Sequence, residues 1–211
     1  MPGKKDCYNR GHEKNQKERT GEEQMDEKKI EEIRASCTYN IVLIGFMGAG
    51  KSTVARCLKE QLGMEIVEMD QEIERQQSLS IPEIFEQYGE AYFRNLETKL
   101  LIEMQKKNGV ILSCGGGVVM REENVREMKK NGYVVLLTAA PQTIYERVKE
   151  NDDRPLLKGR KNVEYIAQLM ETRREKYEAA ADLVLQTDGK SVPQICEELI
   201  IKLMEMDKRD V

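Results

Sequence analysis

The chain has 211 residues, room for one domain with some excess, and 39% of them are hydrophobic. Its 34 Lys+Arg against 38 Asp+Glu leave a net charge of −4, so no overall field draws it to nucleic acid or an anionic membrane. Any anionic ligand therefore needs a local positive cluster. Five cysteines at 7, 37, 57, 114 and 196 form neither a C-x-x-C pair nor a zinc spacing, which fits free thiols in a reducing cytoplasm. There is no apolar run of about 18 residues to suggest a membrane span. The charged N-terminus also lacks the apolar stretch of a secretion signal. The single histidine, His12, lies in a very polar stretch, so a general base is expected to be a carboxylate.

In chain order, residues 1–36 carry nine Lys/Arg and nine Asp/Glu. Such a segment buries too little apolar surface to offset the entropy of ordering it. Residues 1–24 read as a disordered tail and 25–35 as a short charged helix, so the folded domain is expected over 37–211. The apolar run Asn40–Ile44 is a buried-strand pattern. Val54, Leu58 and Leu62 then mark one helix face, ended by Gly63. Residues 64–67 form a second strand. Short helices follow over 70–77 and 81–88, with Pro82 in a first turn. A longer helix over 90–107 turns Phe93, Leu96, Leu100 and Met104 inward. Strand three is 110–112, broken by Gly115-Gly116-Gly117; helix 121–130, strand 133–137 and a helix opened by Pro141 follow. Residues 151–162 read as a mobile loop, 163–180 as helix, 182–186 as the fifth strand and 192–206 as the last helix. Strand alternating with helix implies a three-layer α/β/α domain on a five-stranded parallel sheet.

Gly45, Gly50, Lys51 and Ser52 match G-x-x-x-x-G-K-[ST], with a strand before and an amphipathic helix after. Backbone N–H groups of such a loop cradle phosphate oxygens, and the helix adds its N-terminal partial charge. Gly48, Ala49, Gly50, Lys51, Ser52 and Thr53 are the expected ATP contacts. Lys51 would neutralise the β- and γ-phosphates and Ser52 would ligate Mg²⁺. The loop names the donor but not the acceptor.

Six markers in order narrow the acceptor: GFMGAGKST (45–53), EMDQEIE (68–74), SIPEIFEQYGEAYFRNLE (80–97), ILSCGGGVV (111–119), RPLL (154–157) and RREKY (173–177). From about Asn40 to Ile200 the chain resembles the shikimate kinases. The resemblance implies transfer of the γ-phosphoryl group of ATP to the 3-hydroxyl of shikimate, a step toward aromatic amino acids. It implies that Asp70 binds ring hydroxyls and takes the proton from the attacking one. By position alone Asp70 ends the second strand region, where ligands gather in an open parallel sheet, and it also suits a helix N-cap.

The resemblance makes Arg94 and Arg173 clamps for the substrate carboxylate, a task suited to the guanidinium fork. Glu97 lies one turn after Arg94 and would orient it. The Gly116 backbone would contact shikimate, and Ser113 would contact the loop or the metal's waters. Arg154 matches a lid arginine that reaches the phosphates, Arg147 an arginine stacked on adenine, and Pro193 would cover the other adenine face. The catalytic set is then Lys51, Asp70 and Arg154. Two departures stand out. Glu68 occupies a position where the family usually has Asp near the metal's water shell. Glu175-Lys176 stands where Pro-Leu is common. A monomer is expected. Rival readings are another small-molecule kinase, for gluconate or a nucleoside monophosphate, and a non-catalytic ATP-binding module whose tail recruits a protein.

Overall fold

The computed structural model describes residues 38–149 and 162–207. The extension 1–36, with its expected helix, lies outside the described residues. So does the expected lid loop, apart from Asn162, and with it Arg154.

Five parallel strands form one sheet: β1 (Asn40–Ile44), β2 (Glu65–Glu68), β3 (Val110–Ser113), β4 (Gly132–Thr138) and β5 (Leu183–Gln186), in the order β2-β3-β1-β4-β5. The helices are α1 (Lys51–Leu62), α2 (Met69–Gln77), α3 (Ile81–Met104), α4 (Glu122–Lys130), α5 (Pro141–Val148), α6 (Val163–Ala180) and α7 (Val192–Asp207). The expected α/β class and five-stranded parallel sheet are borne out. The first strand lies centrally, between β3 and β4. Covered on both faces, it has every residue buried, which is why it reads as an unbroken apolar run. Its one polar member, Asn40, is a fastener. The side chain donates to Lys107 O at 3.0 Å and accepts from Val110 N at 3.0 Å, tying the foot of β1 to the start of β3.

The two helices expected over 81–88 and 90–107 follow each other directly in α3, with a break between them. Gly89 has φ 79° and ψ 169°, outside any helix, so 81–88 and 90–104 are separate helical runs meeting at a glycine kink. A capping box starts the first run. Ser80 N donates to Glu83 Oε2 at 2.7 Å while the Ser80 hydroxyl accepts from Glu83 N. The expected burial of Phe93, Leu100 and Met104 holds, and Leu96 packs against the core from a half-buried position. The helix ends at Met104, three residues before the expected 107.

The connection from the carboxyl end of β1 runs to β2 on one side of the sheet, while that from the neighbouring β3 runs to β4 on the other. In open α/β sheets a ligand crevice forms at this point. The Gly45–Ser52 loop, the Gly115–Gly117 loop and the start of α2 all follow strand ends there.

Candidate active site

The phosphate loop is held by its own backbone. Gly50 precedes α1 with φ 101°, a left-handed conformation that favours glycine, and offers no side-chain cap to the helix. The first N–H groups of α1 thus lack the usual side-chain acceptor, which suits them to an anion. Lys51 curls back over the loop, with Nζ 2.9 Å from Gly45 O and 3.1 Å from Phe46 O. The Ser52 hydroxyl donates to Glu68 Oε2 at 3.0 Å and lies 3.5 Å from Ser113 Oγ. Glu68 therefore does sit at the mouth of the loop, and Ser113 touches it as expected.

These residues line a cavity of about 500 Å³ that also takes in Asp70, Gly115 and Gly116. Asp70 needs a correction. It is neither the end of β2 nor a helix cap: β2 stops at Glu68, which is itself the N-cap position, and Asp70 is the second residue of α2. The strand is displaced by one residue from its expected span. The chain turns directly from strand into helix, so the carboxylate leaves the first helical turn toward the glycine loop. A Cβ on Gly115 would fall 2.7 Å from Asp70 Oδ1 and 3.3 Å from Glu97 Oε1. A side chain at 115 would force the Asp70 carboxylate to shift.

Arg94 lies against the same loop. A Cβ on Gly117 would come within 2.5 Å of both its Nη atoms. Arg94 Nη1 donates to Glu97 Oε2 at 2.8 Å, and Nε and Nη2 donate to Glu90 Oε1 at 3.2 and 2.9 Å. Burial works against its charge, but the two carboxylates outweigh it and raise the pKa further. Glu97 is fully buried. Burial pushes its carboxyl up to about 7, against the pull of Arg94, and the charge of Asp70 adds to the rise. Its Oε1 is buried without a hydrogen-bond partner.

From the far side, Arg173 Nη1 donates to Gly116 O at 3.3 Å, and the Tyr177 hydroxyl donates to the same carbonyl. Burial pushes the tyrosine up to about 12, so it stays a neutral donor. The sequence alone marks Tyr177 only as the tyrosine that follows Arg173. Four residues apart on α6, the two share a helix face, and that spacing was the available signal. Glu90 gave no such signal, being one carboxylate among many on a charged helix.

At the opposite end of the cavity Arg147 Nη1 donates to Gly48 O at 3.1 Å and to the Thr187 hydroxyl at 3.2 Å. It braces the loop across the start of the wall that holds Thr187, Lys190, Val192 and Ile195. The adjoining Val192, rather than the expected Pro193, is among the residues lining the cavity.

Residues 47–204 match the family model described as shikimate kinase. The chain belongs to the shikimate kinase family. It is 45% identical to a shikimate kinase of Persephonella marina over 161 residues, covering 76% of this chain and 96% of that one. Against a shikimate kinase of Dehalococcoides mccartyi it is 41% identical over 168 residues, covering 80% and 95%. Among solved structures, the shikimate kinase from Acinetobacter baumannii in complex with shikimate superposes with a TM-score of 0.75 at 33% identity, covering 79% of this chain and 93% of that chain. Membership in this family makes the chain a nucleotide-dependent phosphotransferase. Among the described residues, no helix is long and apolar enough to cross a membrane.

Proposed function

We propose that this chain phosphorylates the 3-hydroxyl of shikimate with ATP, releasing ADP and 3-phosphoshikimate. One observation carries the reading. The phosphate loop and a separate set of cationic and acidic groups meet around one glycine turn: Asp70 and Arg94 on one side, Arg173 and Tyr177 on the other. A donor site and a site for a hydroxylated carboxylic acid then face each other across Gly115–Gly117.

The N-terminal amides of α1 and Lys51 hold the donor's phosphates. Asp70 orients the attacking hydroxyl and accepts its proton. Arg94 and Arg173 hold the acid's carboxylate, and the Gly116 backbone lies beside the ring. Arg154, outside the described residues, brings positive charge to the transferring group. Arg147 flanks the adenine. Positioning and charge neutralisation carry most phosphoryl transfer, so a rigid arrangement of these groups matters more than any single base.

The Ser52 hydroxyl, Glu68 and Ser113 supply only hard oxygen donors, which suits Mg²⁺. Among the described residues no group of three or more His, Cys, Asp and Glu side chains could hold a metal by itself. That fits an ion that keeps several waters and takes its remaining ligands from substrate phosphates. When bound, Mg²⁺ offsets charge on the β- and γ-phosphate oxygens. Glu68, hydrogen-bonded to Ser52, would accept a hydrogen bond from one of the ion's waters. A reducing cytoplasm and a monomeric enzyme belong to the same reading; Cys57, Cys114 and Cys196 are free thiols.

The test is ADP release measured against shikimate, gluconate and nucleoside monophosphates. Shikimate alone should raise the rate above the ATP-only background. Stimulation by another acceptor, or by none, would overturn the assignment.

A further inference from the structure

Behind the glycine turn, on the side away from the cavity, lies a polar tie. Thr98, one turn beyond Arg94 on α3, is 7% exposed, and Asn124, near the start of α4, is fully buried. The Thr98 hydroxyl donates to Asn124 Oδ1 at 2.6 Å, and Asn124 Nδ2 donates to Val118 O at 2.9 Å. Both ends of the amide are used, so its orientation is set. Val118 opens a short 3₁₀ turn that is continuous with the glycines: Val118 N donates to Gly115 O and Met120 N to Gly117 O. Arg121, at the end of that turn, reaches back to α3. Its Nη1 donates to Asn95 Oδ1 at 2.8 Å and its Nη2 lies 3.4 Å from Ala91 O.

We infer that Thr98, Asn124 and Arg121 are positioning residues that set the spacing between the Arg94 guanidinium and the Gly115–Gly117 loop, and so tune the acceptor side of the site. The inference rests on the acceptor reading given above. Its physical basis is that the two walls of the acceptor site come from separate segments with no short covalent link. Arg94 and Glu97 ride on α3; Gly116, which takes the hydrogen bonds from Arg173 and Tyr177, rides on the turn after β3. The Arg94 guanidinium lies against Gly117, where a Cβ would fall 2.5 Å from both Nη atoms, so a shift of the turn relative to α3 alters that contact. Apolar packing behind the turn would permit sliding, because dispersion contacts have little directionality. A buried amide with both ends engaged does not, because any shift leaves a polar atom without a partner.

The experiment is steady-state kinetics of the full chain with ATP and shikimate varied separately. Thr98→Val is nearly isosteric and removes the donor. Asn124→Ala removes the bridge. Arg121→Ala, at a half-buried position, loosens the tie with little risk to folding. The KM for shikimate should rise roughly tenfold in the first two, in keeping with the sensitivity of such sites to small misplacements, and by less in the third. The KM for ATP should stay close to the wild-type value. Thr98→Ser, which keeps the hydroxyl, should restore the wild-type KM for shikimate. A purely structural role would lower the melting temperature without separating the two KM values. Equal changes in both, or no change in Arg121→Ala, overturn the inference. Absence of shikimate-dependent ADP release in the wild type would instead overturn the acceptor reading itself.

Discussion

The donor and acceptor halves of the site are built in different ways. The donor half is one continuous stretch, Gly45–Thr53, whose working groups are mostly backbone amides set by a strand, a tight loop and a helix start. The acceptor half is drawn from four distant segments, at Asp70, Arg94, Gly116 and Arg173, and its groups are mostly charged side chains. A local motif carries its geometry with it. A dispersed site needs the whole domain to hold it, and here buried polar groups such as Glu97, Thr98 and Asn124 do part of that work. Substitutions in the two halves should therefore fail in different ways.

The largest effect is expected at the shared edge. Lys51→Ala removes the cation that faces the transferring phosphate and should lower kcat by about a thousandfold, judging from the cost of losing one preorganised charge-stabilising donor. Circular dichroism should show an unchanged fold. Asp70→Asn keeps the shape and removes the proton acceptor. Its kcat should drop by roughly a hundredfold or more while ATP binding, followed by calorimetry, stays normal. Near-normal turnover would remove Asp70 from the chemistry.

The two arginines separate binding from stability. Arg173→Ala should raise the KM for shikimate roughly tenfold to a hundredfold, the worth of a charge-assisted hydrogen bond, with little change in melting temperature. Arg94→Ala should weaken shikimate binding as well. It should also lower the melting temperature, because buried Glu97 loses its hydrogen-bond partner. If both variants instead lose ATP, the division into two halves is wrong. Gly115→Ala is a smaller perturbation. Its new Cβ must push Asp70 aside, so the kinetic loss should appear with shikimate and spare the KM for ATP.

The smallest expected effect is a pH slope. The folded protein raises the Glu97 pKa from 4.5 to about 7. The folded state thus holds this proton to higher pH than the unfolded chain does. The resulting stability is fully present below 4.5 and is lost as pH rises through about 7. Glu97→Gln cannot ionise and should lack that decline. The melting temperature of the variant relative to wild type should therefore climb between pH 5 and pH 8. A parallel pair of curves would show that Glu97 is ionised throughout.

How far each half could be read from the sequence follows from the same difference. The phosphate loop was legible because its function depends on contiguous residues with a characteristic spacing. The helix break at Gly89 was legible for a similar reason, since glycine at that point interrupts two periodic runs. Asp70 was placed at the edge of a helix expected over 70–77, as the end of the strand region or a cap, whereas it is the second residue of that helix. Whether a carboxylate after a short strand still extends it or already belongs to a helix is decided by sheet register and packing. The pairing of Glu68 with Ser113 across β2 and β3 ends that strand. Arg94 and Arg173 could be singled out only through the ordered markers, because composition alone gives no way to choose two among 34 cationic residues.

The sequence by itself determined the alternation of strand and helix, the anion-binding loop and hence the phosphoryl donor. Each of these depends on neighbours along the chain, through periodicity, backbone freedom and helix polarity. Only the tertiary structure decided that Glu97 is buried beneath Arg94, that Tyr177 and Arg173 meet on one carbonyl, and that Asn124 ties α3 to the glycine turn. The last two join residues 26 to 61 positions apart, and the burial of Glu97 depends on segments packed over its helix. Their energies come from desolvation and hydrogen-bond satisfaction, and neither exists until the segments are packed together.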